Sequence, residues 1–195
     1  MARPKTSKAV LAADEAAAEA ALPYQGSPAM EALGRFASLG DQPPLRTLCA
    51  AVIAAGLAGG DRRLARTGVR MLVAHTLATL AKDFVKERVD RTRPRSKSGK
   101  GKDHRPRPGR DTSKEETSFP SGHSAGAAAV ARAFARDYPE YKAPAYAAAG
   151  ALALAQIPRC AHYPTDVGAG LAIGIAAEAM VDIGVRLVEE RPSPI

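Results

Sequence analysis

The sequence has no tryptophan, only 5% aromatic residues and two cysteines among its 195 residues. Two cysteines build no disulfide framework, and neither Cys49 nor Cys160 has a CxxC partner, so dithiol redox chemistry and cysteine-built zinc sites are unsupported. Cysteine-based phosphate chemistry would need an arginine six positions after the nucleophile, and those positions hold Ala55 and Asp166. No uncharged run reaches the ~20 residues that cross a bilayer; the runs at 47–60 and 143–158 have 14 and 16 residues. Charges at their ends can snorkel, which extends a short span. Period-two alternation long enough for a sheet is also missing, as is an internal repeat. Few aromatics stand among the charges, so stacking platforms for single-stranded nucleic acid are lacking.

What is present is alanine and positive charge. Apolar residues make up 46% of the chain, much of it alanine, and small side chains let helices approach closely. The net charge of +8 points to an anionic partner: a phosphorylated substrate, an acidic membrane surface or nucleic acid. Residues 1–28 are expected as a mobile, basic and alanine-rich arm, because Asp14, Glu15 and Glu19 interrupt any signal-peptide core and argue against cleavage. Helical periodicity and stop signals then place helices over 29–39, 47–60, 62–93, 121–136, 142–157 and 164–188. Pro94 is expected to end the third of these at Arg93. The expectation is an all-α bundle of about six helices over residues 29–195, embedded in a membrane, with the active site at one end and a basic loop at 95–117. Between Arg95 and Glu116 that loop carries eight Lys/Arg against four Asp/Glu.

Three groups of residues carry chemistry. Pro120, Ser121, Gly122 and His123 open an apolar run, where Ser121 can cap a helix and Gly122 lets a ligand approach the backbone. A helix N-terminus favours an anion, and His123 would stand inside that anion site as a proton carrier. Lys86 and Arg93 are seven residues apart, which on a continuous helix gives one shared face, a point charge beside a bidentate fork. His162 and Asp166 are four apart, so that a carboxylate can fix the imidazole tautomer and leave the other nitrogen free as nucleophile. Arg159 stands three residues before His162 as a further cation. Taken singly, each group also reads as an ordinary feature: a helix cap, a solvated basic face, a structural His/Asp pair.

Taken in order, the three groups resemble the signature of the type 2 phosphatidic acid phosphatase superfamily, with its lipid phosphatases, bacterial acid phosphatases and vanadium haloperoxidases. The resemblance runs over roughly residues 45–188 and rests on Lys86-x6-Arg93-Pro94, then 120–123, then His162-x3-Asp166 with Val167 and Gly170. It implies a phosphatase that needs no metal or cofactor and acts on a lipid phosphate: phosphatidic acid, phosphatidylglycerophosphate or a polyprenyl diphosphate. His162 would be the nucleophile, Asp166 its orienting partner and His123 the acid. Lys86, Arg93, Ser121, Gly122 and Arg159 would hold the phosphate. It also implies a cell inner membrane location, with a soluble or peripheral enzyme as the alternative. The sequence departs from the family at 155–156, where Ala155 and Gln156 replace a Ser-Arg pair. Two other readings stay open: a vanadate-dependent haloperoxidase, and a basic membrane- or nucleic-acid-binding protein with a decayed site. No specific nucleic-acid partner is expected.

Overall fold

A computed structural model describes residues 5–96 and 104–190. Seven α-helices lie within them: α1 Lys5–Ala21, α2 Pro28–Ala37, α3 Gln42–Ala58, α4 Arg62–Lys86, α5 Gly122–Asp137, α6 Lys142–Leu154 and α7 Pro164–Glu189. The expected all-α bundle is present. The seventh helix is α1, in the segment expected as an arm. It packs onto the domain, because Asp14 and Ala18 on it are buried at 1% and 4% exposure.

Two helix ends differ from expectation. Helix α3 starts at Gln42 instead of 47, with Pro43 and Pro44 in its first turn, where proline is tolerated. Helix α4 stops at Lys86, not Arg93. Val89–Asp90 instead pairs as a short antiparallel strand, β1, with β2 at Arg107–Pro108. The amides of Arg91 and Arg93 donate to the Glu116 and Glu115 carbonyls at 2.6 and 2.7 Å. These bonds to the returning loop replace those a longer helix would have made. Of the basic loop expected at 95–117, residues 97–103 lie outside the described residues.

Helix α5 is the centre of the bundle, with every residue from 124 to 131 buried. Its Ala125, Ala129 and Ala133 pack with Met71, Ala74 and Ala78 of α4, Cys49 of α3 and Ala177 of α7. With methyl groups for most of the core, backbones come into close contact. A Cβ at Gly170 or Gly174 of α7 would stand 2.3 Å from the Ser121 or Ala125 carbonyl oxygen, well inside van der Waals contact. Among the described residues, no helix is long and apolar enough to cross a membrane.

The end of the bundle away from the motifs is held by charge. Glu178 of α7 has no exposed surface and accepts from Arg132 Nε at 2.8 Å and Arg136 Nε at 3.1 Å, both on α5. Asp182, one turn on, pairs with Arg70 of α4, Arg136 and Arg186. Removing one partner of a buried pair leaves the others uncompensated. Glu178→Ala is expected to cost about 3 kcal/mol and lower the melting temperature by roughly 10 °C, measured by thermal unfolding.

Candidate active site

The N-termini of α5 and α7 meet at the opposite end. The Ser121 amide donates to the Asp166 carbonyl at 3.0 Å, which ties the second motif to the third through backbone alone. Ser121 is the N-cap of α5, its Oγ accepting from Ser124 N at 3.4 Å. It is wholly buried, and its hydroxyl also contacts Ser124 Oγ at 2.9 Å. The serine therefore builds the helix start, while Gly122 and His123 line the cavity beside it.

That cavity encloses about 330 Å³ and is lined by Lys86, Arg93, Gly122, His123, Arg159 and His162 of the predicted set. It also takes in Lys82, Arg95 and Lys114, which sequence reasoning did not single out. Six cations thus face one space whose only lining carboxylate among the described residues is Asp41. Lys82 carried a signal, since it lies one turn before Lys86 on α4. It passes close to Gly122, where a Cβ would meet Lys82 Cδ at 3.2 Å. Its Nζ pairs with the neighbouring Asp83.

Lys86 and Arg93 do meet, though not along one helix. The chain leaves α4 and returns, and both side chains reach one carbonyl: Lys86 Nζ donates to Thr117 O at 2.5 Å, Arg93 Nη2 at 3.2 Å. Arg93 Nη1 donates to Ala161 O at 3.0 Å and stands 3.4 Å from His162 Nε2. Burial, then Arg93 and Lys82 nearby, pull the Lys86 ammonium down to about 7. Burial first, and Arg95 next, bring Arg93 down to about 10, so it stays charged at neutral pH.

His162 is 2% exposed, and its Nδ1 lies 2.7 Å from the Ser118 carbonyl. A carbonyl only accepts, so Nδ1 carries the proton and Nε2 is the free lone pair, on the side of Arg93. The expected direct bond from Asp166 is absent: Asp166 Oδ2 is 3.7 Å from Nδ1. At that distance the contact is electrostatic, and the tautomer is set by the Ser118 carbonyl. Asp166 works one step further out, accepting from Ser118 Oγ at 2.6 Å and Tyr163 N at 2.9 Å. Burial would raise its carboxyl, but the His162 ring, Arg91 and Ser118 outweigh it and hold Asp166 below the ordinary range. Burial brings the His162 imidazolium down to about 4; Asp166 opposes this, while Arg93 and Lys86 add to it.

His123 faces His162 with ring centroids 6.4 Å apart. His123 Nε2 is 2.8 Å from Asp41 Oδ1, at the start of α3. No local pattern joins positions 41 and 123, so this pair is invisible to sequence reasoning. Burial lowers the His123 pKa; Asp41 opposes that, and Arg159 and Arg93 reinforce it.

Gln156 explains how Arg159 reaches the site. The glutamine is wholly buried; its Nε2 donates to Leu152 O at 3.1 Å, and its Oε1 accepts from Arg159 Nη1 at 3.2 Å. Its amide therefore anchors a guanidinium from one turn further along. Among the described residues no group of three or more His, Cys, Asp and Glu could hold a metal ion.

Comparison with known proteins bears on the fold and the family. Lipid A 1-phosphatases of Rhizobium etli and Rhizobium johnstonii are each 47% identical over 57 residues, 29% of this chain. The match spans only about a quarter of those relatives, 25% and 23% of their lengths. The crystal structure of a transmembrane PAP2-type phosphatidylglycerolphosphate phosphatase from Bacillus subtilis superposes with a TM-score of 0.67 at 22% identity. That superposition covers 94% of this chain and 90% of the other, and shows a shared fold. The sequence profile of the PAP2 superfamily matches residues 67–183, more than half of the chain, and takes in all three motifs. The chain belongs to the PAP2 superfamily.

Proposed function

We propose that this protein is a metal-independent lipid phosphatase that works through a phosphohistidine. One observation carries the reading: two histidines face each other across a cavity lined by six cations, with the Nε2 lone pair of His162 unprotonated. Phosphoryl transfer needs positioning and charge stabilisation more than covalent novelty, and this cavity offers both. His162 Nε2 attacks phosphorus as the ester P–O bond breaks. His123 gives its proton to the leaving oxygen, with Asp41 favouring the protonated ring. Water activated by His123 then displaces His162 and releases phosphate. Lys86, Arg93, Arg159 and the Gly122 amide neutralise the equatorial oxygens, Ser121 supports that amide as helix cap, and Asp166 stabilises the His162 cation of the intermediate.

A lipid substrate is supported by the relatives, named for lipid A and for phosphatidylglycerolphosphate. The exposed apolar side chains Val69, Val73, Leu80 and Phe84 on α4 and Ile175, Met180 and Ile183 on α7 support membrane association.

A phosphate-release panel of phosphatidic acid, phosphatidylglycerophosphate, lipid A and polyprenyl diphosphate tests this reading. His162→Ala is expected to cost at least about a thousandfold in kcat, and His123→Ala roughly a hundredfold or more. Turnover that survives His162→Ala sinks the nucleophile assignment. Arg159→Met is expected to raise KM about tenfold, the loss of one charge-assisted contact to phosphate, measured on the best substrate of the panel.

Three ionisations bound the activity: His123 must carry its proton to serve as the acid, and burial lowers its pKa below that of a free imidazole. His162 must be neutral to attack and titrates near 4; Lys86 must be charged to hold phosphate and titrates near 7. As pH rises through about 7 the Lys86 charge is lost and kcat/KM is expected to fall. Lys86→Arg keeps its charge at high pH, so the Lys86 step near 7 should drop out and the alkaline limb, then set by His123 alone, should fall less steeply. A pH profile with the same alkaline slope for both enzymes overturns the assignment.

A further inference from the structure

Behind the nucleophile lies a buried charge relay that reaches outside the region matched by the family. Arg91 has no exposed surface. Its Nη1 donates to Asp166 Oδ1 at 2.5 Å, and its Nη2 to Asp14 Oδ2 at 2.7 Å. Its Nε donates to His104 O at 2.8 Å, and its guanidinium lies 4.1 Å from the Tyr163 ring centroid. Asp14 also accepts from Thr165 N at 3.0 Å and Thr165 Oγ1 at 2.5 Å, the first turn of α7. A line of contacts therefore runs Asp14, Arg91, Asp166, Ser118, His162.

We propose that Asp14, on the N-terminal helix α1, is a positioning residue of the active site, acting on the nucleophile through Arg91 and Asp166. The inference rests on the phosphatase reading above. One guanidinium shared between two carboxylates neutralises neither fully. Asp166 thus keeps negative potential for the cation that forms on His162. Without the Asp14 charge, Arg91 belongs to Asp166 alone, and that potential is quenched. Asp14 does not line the cavity, so the loss falls on the chemical step and spares substrate binding. Helix α1 is then part of the working enzyme, although it lies outside residues 67–183.

The test is a double-variant cycle on the full chain: Asp14→Asn, Arg91→Met and the pair, assayed on the best lipid of the panel, with kcat counted per phosphoenzyme formed in the initial burst. Asp14→Asn is expected to lower kcat about ten- to a hundredfold with KM within about threefold. In the Arg91→Met background the same change should add less than about twofold. If Asp14 only caps α7 and docks α1, kcat per active site stays within twofold of wild type while the melting temperature falls, and the proposal is overturned. An equal added loss in both backgrounds overturns it too. Should Asp14→Asn fail to fold alone, Asp14→Ser takes its place in the cycle, with the same supporting and overturning outcomes. Affinity for vanadate, whose trigonal-bipyramidal histidine adduct resembles the transition state, gives the same cycle without turnover. Wild type that releases no phosphate across the panel refutes the phosphatase reading; the vanadate cycle then judges the relay by itself.

Discussion

A single backbone hydrogen bond, from Ser121 N to Asp166 O, holds two helix N-termini in one place, and the site is built around that junction. It forms only because α7 presents Gly170 and Gly174 to the α5 backbone, where a side chain would force the helices apart. The alanine-rich core serves the same end. Methyl groups bury little apolar area each, but they let five helices approach until polar groups at their ends register within hydrogen-bond distance. Low aromatic content is thus a condition of this geometry.

Close packing has an electrostatic cost that the molecule meets with specific partners. Six cations crowd the cavity, and their repulsion together with burial weakens the Lys86 charge. Backbone carbonyls at Thr117, Lys114 and Ala161 take the donors of Lys86 and Arg93, and Asp41 meets His123. Under the proposed function, a phosphate entering the cavity would complete this charge balance. Behind it, Asp14 and Asp166 divide Arg91 between them. At the far end, Glu178 and Asp182 do the same structural work with Arg70, Arg132 and Arg136. The bundle is therefore an alanine core clasped by charge at both ends.

The three motifs were legible in the sequence because each is local. A helix cap followed by histidine, and a His-x3-Asp turn, depend on residues within four positions of each other. The relation between Lys86 and Arg93 was legible in outcome but not in route. A seven-residue spacing implied one continuous helix, yet the chain leaves α4 at Lys86 and bonds with the loop at Glu115 and Glu116. Asp41 and Asp14 left no trace, since their partners lie 82 and 77 positions away. Neither distance has any local pattern.

Helix period, caps and motif order, properties of neighbouring residues, come from the sequence alone: an all-α bundle, two histidines, a cluster of cations and the family. The tertiary structure decided which atoms touch. It gave the His162 tautomer to the Ser118 carbonyl instead of Asp166, kept Ser121 out of the cavity lining, and made Gln156 the anchor of Arg159. It also packed the N-terminal segment against Arg91. The His162–Ser118 and Arg91–Asp14 contacts, both at 2.7 Å, join residues 44 and 77 positions apart. The meeting of the α5 and α7 N-termini brings the Ser118 carbonyl and the His162 ring into hydrogen-bond range.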